Sequence, residues 1–311
     1  MTKLLVSYSQ FSMWNQCPFR WFKVYVEKYK DVYPSVPMLF GTAMHYVLQI
    51  YLTALYTNGS AYAEQLELKE LLRETMGKEY KKERNNIIEA NNLNEIKNTD
   101  ERKRQLNELL EHYISKRDMM EFYYDGEKII DWFLKHRREF FNSVEEELVA
   151  IEFPLEKELY TGLEFIGYID VLIRNKKTKK YRIIDFKFSK NAWGQWKKND
   201  INTTDQLVLY KTFYSECYKI NPNDIIVEFI IFKRKLYDDI PYHQKRIVKF
   251  IPAAGKPTMN KTKARFGFFL DACFDKNGKY KVDGIFPKIP FEKNCRYCPF
   301  VNKPEICDKK N

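Results

Sequence analysis

The first sixty residues carry apolar side chains at the spacing of amphipathic helices. Residues 7–29 predict a helix rich in aromatic side chains, which the Cys17–Pro18 step interrupts because proline cannot continue the hydrogen-bond pattern. A second predicted helix covers residues 38–57, where apolar side chains recur three or four positions apart: Met44, Val47, Leu48, Tyr51 and Leu55. We therefore expect an N-terminal helical segment, residues 1–59.

A long charged stretch follows, residues 60–145, with a polar break near EANNLNEIKNTD. Its lysines and glutamates are mixed along a helical pattern, which is more typical of a solvated helix face than of a binding surface. We therefore predict a helical insertion here.

The pattern changes near residue 147, where β-branched and aromatic residues begin to dominate. Strands are predicted at 148–160, 163–175 and 179–189, joined by the turns TGLE and NKKTKK. A helix at 201–219, strands at 225–233 and 244–251, and a helix at 256–273 follow. This order predicts an α/β core, residues 146–285, and a short cysteine-bearing end, residues 286–311.

Composition narrows the class of protein. The chain has 311 residues, is 44% hydrophobic and has a formal net charge of +11, which allows a sizeable core and suggests a polyanionic partner such as nucleic acid. No apolar run reaches the roughly 18 residues of a membrane span, and the N-terminus has no secretory pattern. We therefore expect a cytoplasmic protein that does not enter a membrane.

Two aspartates and a lysine lie among residues that the strand pattern predicts to be buried: Asp170, Asp185 and Lys187. Side chains alternate along a strand, so Asp185 and Lys187 share one face, and pairing through the NKKTKK turn would bring Asp170 close to Asp185. Two close carboxylates favour a hard cation such as Mg²⁺ or Mn²⁺ between them. A surface salt bridge on an edge strand is the alternative interpretation.

Other polar residues are uninformative when taken singly. His45 lies one step from the apolar stripe of its helix, where a histidine is more often a core or surface residue. Gln206 and Tyr210 share a helix face, which is also typical of ordinary polar packing.

Taken in order, these residues form a recognisable set: GxxxH ending at His45, GxxD ending at Asp170, DFK at 185–187 and QxxxY at 206–210. The set resembles the RecB-like branch of the PD-(D/E)XK nuclease superfamily, which includes CRISPR-associated iron–sulfur exonucleases and AddB-type nuclease domains. The resemblance extends from Cys17 to Cys307. It implies a restriction-endonuclease-like core, a mixed central sheet flanked by helices.

The resemblance also implies roles for single residues. The metal ligands would be His45, Asp170, Asp185 and the backbone carbonyl of Phe186. Lys187 would be the catalytic lysine, and Gln206 and Tyr210 would help to place the DNA strand. Asp stands at position 185, where many relatives have Glu. Glu152, on the preceding strand, is a candidate for a supporting role only.

Four cysteines form a split set: Cys17 near the start, and Cys295, Cys298 and Cys307 in CRYCPFVNKPEIC. Clustered cysteines in a reducing compartment favour metal ligation, and four of them suit either zinc or an iron–sulfur cluster. The resemblance favours a [4Fe–4S] cluster, which would clasp the two ends of the chain together. Cys217 and Cys273 lie in predicted helices and are expected to be core residues.

A basic segment adjoins the DFK motif. Residues 174–190 hold eight Lys or Arg against one acid, including Lys176, Lys177, Lys179 and Lys180, and Trp193 and Trp196 follow. Lysines beside aromatic rings suit a single strand whose phosphates pair with cations and whose bases stack. A solvated basic turn is the alternative.

These observations predict a Mg²⁺- or Mn²⁺-dependent deoxyribonuclease. The resemblance adds exonuclease action on single-stranded DNA or DNA ends, in recombination, repair or foreign-DNA processing. The alternative is a non-catalytic DNA-end-binding or scaffold subunit of a helicase–nuclease or CRISPR adaptation complex. No GxxxxGK[ST] motif occurs, so a helicase or integrase-type partner would be a separate protein.

Overall fold

The computed structural model describes residues 3–30, 33–238, 241, 243–296 and 298–308. The strands are β1 (Leu4–Val6), β2 (Glu146–Tyr160), β3 (Leu163–Asn175), β4 (Tyr181–Ser189), β5 (Ile225–Lys233) and β6 (Ile247–Phe250). The helices are α1 (Tyr8–Gln16), α2 (Pro18–Trp21), α3 (Val36–Thr57), α4 (Ser60–Ala63), α5 (Leu68–Ala90), α6 (Thr99–Ile114), α7 (Lys116–His136), α8 (Gln195–Lys198), α9 (Ile201–Tyr218), α10 (Lys256–Cys273) and α11 (Glu292–Cys295).

The strands form one mixed sheet in the order β1-β3-β4-β5-β6, with β2 also paired to β3. β3 and β4 are antiparallel, as expected for strands joined by a short turn, whereas β4 and β5 are parallel and α9 makes the crossover between them. The mixed sheet with helices on both faces confirms the predicted fold class.

One edge of β3 is only partly covered by other strands. β2 pairs along nearly all of β3, while on the other edge β1 pairs with residues 163–165 and β4 with residues 171–174. Within the described chain, residues 166–170 have no strand partner on that second edge. This gap contains Asp170, and side chains of neighbouring elements cover it.

Two hydrophobic clusters lie on the two faces of the sheet. One joins α3, α5 and α7 to side chains such as Val171 and Ile184. The other joins α1, α9 and α10 to the alternate side chains, such as Leu172 and Ile183. Alternation therefore divides the residues of β4, and those of β3 from Val171 onwards, between the two cores. Before that point the phase of β3 is reversed, because Ile169 belongs to the second cluster.

The N-terminal segment differs in detail from the prediction. A short strand, β1, precedes α1 and escaped prediction because three residues carry too little periodicity. The predicted helix 7–29 is divided at Cys17, whose extended backbone begins α2 with Pro18 at its first position, and a π-helical turn follows at Phe22–Val26.

Further along, β6 is shorter than the predicted strand 244–251. The prediction that Cys217 is a core residue is wrong, because it lies in the last turn of α9 on the solvent side and is exposed. Cys273 is buried, as predicted.

Helix α3 is the one described helix long and apolar enough to cross a membrane by length and composition. More than half of its most apolar window, 56%, is buried inside the protein, as in the core helix of a globular fold. Its position between the sheet and α5 accounts for its apolar character.

Candidate functional site

Three neighbouring strands place a carboxylate at the same level of the sheet. Glu152 of β2 falls between residues paired with positions 171 and 169 of β3, which puts it level with Asp170. Asp185 follows Ile184, the partner of Val171, and so lies at that level on β4. A row of three acids thus crosses the middle of the sheet beside the uncovered edge of β3.

Helix α3 brings a histidine to this row. His45 Nδ1 lies 3.3 Å from Asp170 Oδ2, and one ligand atom each from His45, Glu152 and Asp170 lies within 4.8 Å of the other two. One helical turn later, the Gln49 amide donates a hydrogen bond to Glu152 Oε1, which orients that carboxylate. The backbone of Glu152 has a φ of +48°, a strained conformation for a residue with a side chain.

The side chain of Asp170 takes the place of a backbone partner for Phe186 of β4. Its Oδ2 accepts a hydrogen bond of 2.7 Å from the backbone N–H of Phe186, where the β3–β4 ladder has already ended. In an extended strand the N–H and C=O of one residue point to the same edge, so the Phe186 carbonyl is also directed towards Asp170. The resemblance implies this carbonyl as a metal ligand, and that role stays a prediction.

The electrostatics of these groups suit a cation. Burial lowers the pKa of His45 to about 4, so its imidazole is neutral and has a lone pair available at neutral pH. Burial, followed by the nearby Asp185 carboxylate, raises the pKa of Asp170 well above its usual value. A divalent ion would remove the cost of placing these acids together.

Lys187 is connected to the carboxylates on one side and to α9 on the other. Its Nζ lies 2.8 Å from Asp185 Oδ2 and donates a 3.2 Å hydrogen bond to Gln206 Oε1. Burial disfavours the charged amine, but Asp185 and Asp170 outweigh it, so the pKa of Lys187 is raised. The lysine is therefore a fixed positive charge at this site.

The QxxxY pair continues this chain of contacts. Gln206 Nε2 donates a 3.5 Å hydrogen bond to the hydroxyl of Tyr210 one turn further along α9. With its oxygen on Lys187 and its amide on Tyr210, Gln206 has its orientation determined. The helix thereby positions the lysine.

The residues present fit a divalent metal ion. Oxygen and imidazole ligands are the donors that Mg²⁺ and Mn²⁺ accept. Buried Asp185 Oδ2, although close to Lys187, receives no hydrogen bond of suitable geometry within the described chain. Asp185 is not one of the three residues that cluster within 4.8 Å; its carboxylate is turned towards the lysine.

Glu152 was given only a supporting role from the sequence, and the structure places it beside His45 and Asp170. In the sequence, Glu152 is an acid within a largely apolar strand. A strand with one face exposed to solvent shows the same pattern, so the pattern does not identify a metal ligand. Its place beside Asp170 follows from register, after a bulge between Leu148 and Ala150, and from the positive φ at Glu152 itself.

The four predicted cluster cysteines line one small cavity, together with basic side chains of Arg20 and Lys288. Cys17 begins α2, Cys295 ends α11, and the Cys298 N–H bonds to the Cys295 carbonyl at 3.0 Å. The ends of the chain are joined here: Asn294 donates to the Gln16 carbonyl at 2.7 Å. The four thiols therefore line a common cavity, and a metal group held by them stays a prediction.

The predicted nucleic-acid residues fall in two separate places. Lys176, Lys177, Lys179 and Lys180 are exposed in the turn before β4, about 15 Å along that strand from Asp185. Trp193 packs on Phe229 and Phe250, whereas Trp196 is 76% exposed, with Lys197 Nζ 6.0 Å from its ring. Of these residues, only Trp196 is both exposed and located in α8, next to the helix that carries Gln206 and Tyr210.

A family model of the PD-(D/E)XK nuclease superfamily matches residues 5–307. No curated protein matches the chain. The match covers the sheet, the helical insertion and three of the cysteines at the C-terminal end, and nucleases of this superfamily use divalent metals and bind DNA. The acid row, the neutral histidine and the lysine held by α9 therefore lie in a chain that belongs to the PD-(D/E)XK nuclease superfamily.

Proposed function

We propose that this protein is a Mg²⁺- or Mn²⁺-dependent deoxyribonuclease that hydrolyses phosphodiester bonds. The observation that carries the proposal is the convergence of Glu152, Asp170 and His45 within 4.8 Å, with Lys187 adjoining through Asp185. Membership of the nuclease superfamily supports the same chemistry.

His45, Glu152, Asp170, Asp185 and the Phe186 carbonyl are the groups that would hold the ion. A divalent ion there would polarise a phosphoryl oxygen and ease ionisation of an attacking water. Asp185 would exchange part of its contact with Lys187 for the ion. The protein supplies the fixed oxygens and keeps His45 neutral.

Lys187 supplies a positive charge that does not depend on the ion. Freed in part from Asp185 but still bonded to Gln206, its ammonium group can donate to the scissile phosphate or orient the water. Tyr210 limits the movement of Gln206. We assign Lys187 a direct role and the QxxxY pair a positioning role.

The preferred substrate is single-stranded DNA or a DNA end, cut exonucleolytically. Support comes from the exposed ring of Trp196, on which a splayed base can stack, and from the resemblance to exonucleases. Linear and circular single strands of equal length separate the modes of cutting. An exonuclease degrades the linear strand and leaves the circle; cleavage of both at equal rates would contradict this proposal.

The reaction is tested with labelled single-stranded DNA in Mn²⁺, Mg²⁺ or EDTA. Cleavage should require the metal, and Asp185→Asn and Lys187→Met should each remove it while binding of the same DNA persists. If the parent protein binds DNA and never cuts, it is a DNA-end-binding or scaffold subunit. Undiminished cleavage by both variants would refute the site.

We further propose that Cys17, Cys295, Cys298 and Cys307 hold a [4Fe–4S] cluster as a clasp. Closing a chain between positions 17 and 295 removes much conformational freedom from the unfolded state. An anaerobic preparation should show a broad band near ~400 nm from thiolate-to-iron charge transfer, with iron by elemental analysis. A colourless protein containing zinc would replace the cluster and keep the clasp.

A further inference from the structure

A cationic cavity lies away from the carboxylate site, on a different side of α9. It has a volume of about 390 Å³, and its walls come from the second half of α9, the turn at Pro222–Asp224 and the first turns of α10. Lys211 is one residue beyond Tyr210, so it projects about 100° further round the helix. The proposed reaction and this cavity therefore use different faces of one helix.

Lys211 is the distinctive residue of the cavity wall. It is 8% exposed, and no described residue makes an ion pair or hydrogen bond with its side chain. Burial without an opposing acid lowers its pKa. Its ammonium group therefore offers an anion in the cavity a positive charge that no described acid neutralises.

The start of α10 supplies a second, independent reason for an anion. This helix has 18 residues, and its N-cap, Gly255, has no side chain with which to accept the free N–H groups of the first turn. Gly255, Lys256 and Asn260 all line the cavity. The partial positive charge of a helix N-terminus attracts phosphate groups.

The acid on the cavity wall is already neutralised. Glu216 lies 2.6 Å from Lys263 and 2.8 Å from Lys157, so both of its partners are cations. Among the other polar side chains of the wall, those of Asn223 and Asn260 can donate hydrogen bonds. The cavity therefore offers donors and positive charge to an incoming group.

We propose that this cavity binds a phosphate group, supplied either by a free phosphate compound or by the backbone of nucleic acid beyond the cutting site. Lys211 and the N-terminus of α10 are its two principal contacts. The site goes beyond the proposed nuclease activity and does not depend on it, because none of its residues belongs to the carboxylate site.

The first test measures inorganic phosphate and pyrophosphate binding to the full chain by calorimetry. Lys211→Met should weaken binding about tenfold or more, since hydrogen bonds to charged groups are worth at least that factor. The control variant Lys261→Gln removes an exposed charge from α10, outside the cavity, and should bind as the parent does.

A second variant, Gly255→Asp, tests the same site with a substitution that should not destabilise the fold. The backbone there, with φ −76° and ψ 169°, suits an N-cap aspartate, and a Cβ would meet only Pro257 Cδ at 3.8 Å. The new carboxylate should cap and stabilise α10 while it excludes phosphate. Absence of binding by the parent, or unchanged binding in both Lys211→Met and Gly255→Asp, would overturn the proposal.

A second arm identifies the source of the phosphate. In an Asp185→Asn background, a single-stranded oligonucleotide is titrated against phosphate-loaded protein. Displacement of phosphate, with weaker DNA binding by Lys211→Met, assigns the site to the nucleic-acid backbone. Phosphate that stays bound beside the DNA assigns it to a free compound. Neither readout requires cleavage, so failure of the nuclease proposal would remain distinguishable.

Discussion

The ring of Tyr210 occupies the space that a side chain at Gly167 would need. A Cβ at Gly167 would lie 2.8 Å from Tyr210 Cε1 and 3.0 Å from its hydroxyl oxygen. Gly167 lies in the stretch of β3, residues 166–170, where one edge has no strand partner within the described chain. The glycine of GxxD and the tyrosine of QxxxY are 43 positions apart in the sequence and are in direct contact in the fold.

Gly167→Ala should therefore displace Tyr210 and, through Gln206, loosen Lys187. We expect kcat to fall about a hundredfold, the effect of a misplacement near 1 Å, while DNA binding changes little. Gly77→Ala is the matched control, because a Cβ there meets nothing within 4 Å, and it should stabilise α5 by about 0.5–1 kcal/mol. Full activity in Gly167→Ala would show that the contact has no part in catalysis.

Glu152→Gln should weaken Mn²⁺ binding at least about tenfold, because it removes one charged oxygen beside Asp170 and His45. The amide is close in size to the carboxylate, so unfolding is not expected. Glu158→Gln, an exposed acid on the same strand, is the control. Calorimetric titration with Mn²⁺ decides; equal affinities in the two variants would remove Glu152 from the ligand set.

Trp196→Ala should weaken binding of a single-stranded oligonucleotide about tenfold, because loss of one base–aromatic stack costs about 1–3 kcal/mol. Phe268→Ala removes another exposed ring, 70% accessible, from α10. Fluorescence anisotropy with the same oligonucleotide compares the two. If both variants bind like the parent, the DNA path avoids α8.

Cys298→Ser should abolish the ~400 nm band and lower thermal stability, because the cluster that links Cys17 to the C-terminal cysteines loses one of its ligands. The control is Cys217→Ser: this cysteine is exposed on α9, and its side chain donates a 3.6 Å hydrogen bond to the Glu156 carbonyl. Absorbance and iron content are measured on anaerobic samples. A soluble Cys298→Ser protein with a full complement of iron would contradict the cluster assignment.

Asp205→Ala should destabilise the protein by about 3 kcal/mol. Asp205 is 2% exposed and accepts hydrogen bonds from Arg265 at 2.7 Å and from Thr262 at 2.8 Å, which fasten α9 to α10. Asp131→Ala breaks an exposed pair with Lys69 and should cost under about 1 kcal/mol. Urea unfolding of both variants measures the difference, and equal midpoints would mean that the buried pair contributes nothing net.

Much of the fold follows from local periodicity. The alternation of β3 and β4 and the short turn between them are sufficient to predict an antiparallel pair, with Asp185 and Lys187 on one face. The apolar stripe of α3 likewise predicts a buried helix. These predictions succeed because the face of a residue depends only on its own element.

The tertiary structure determines which residues of different strands and helices lie next to one another. The level of Glu152 beside Asp170 depends on a bulge and a positive φ, and the burial of Trp193 depends on Phe229 and Phe250 of two later strands. The lysines before β4 adjoin the acids in sequence, yet an extended strand carries them about 15 Å away.

The sequence by itself therefore determined the chemical inventory, which is the acids, the histidine, the lysine and the four cysteines, and the helix, strand or terminal segment that carries each. Only the tertiary structure decided that Glu152 joins the acids, that Tyr210 rests on Gly167 and that Lys211 is left without a partner among the described residues. The reason is physical. Periodicity along one element is a local property, whereas register and burial depend on packing between elements distant in the chain.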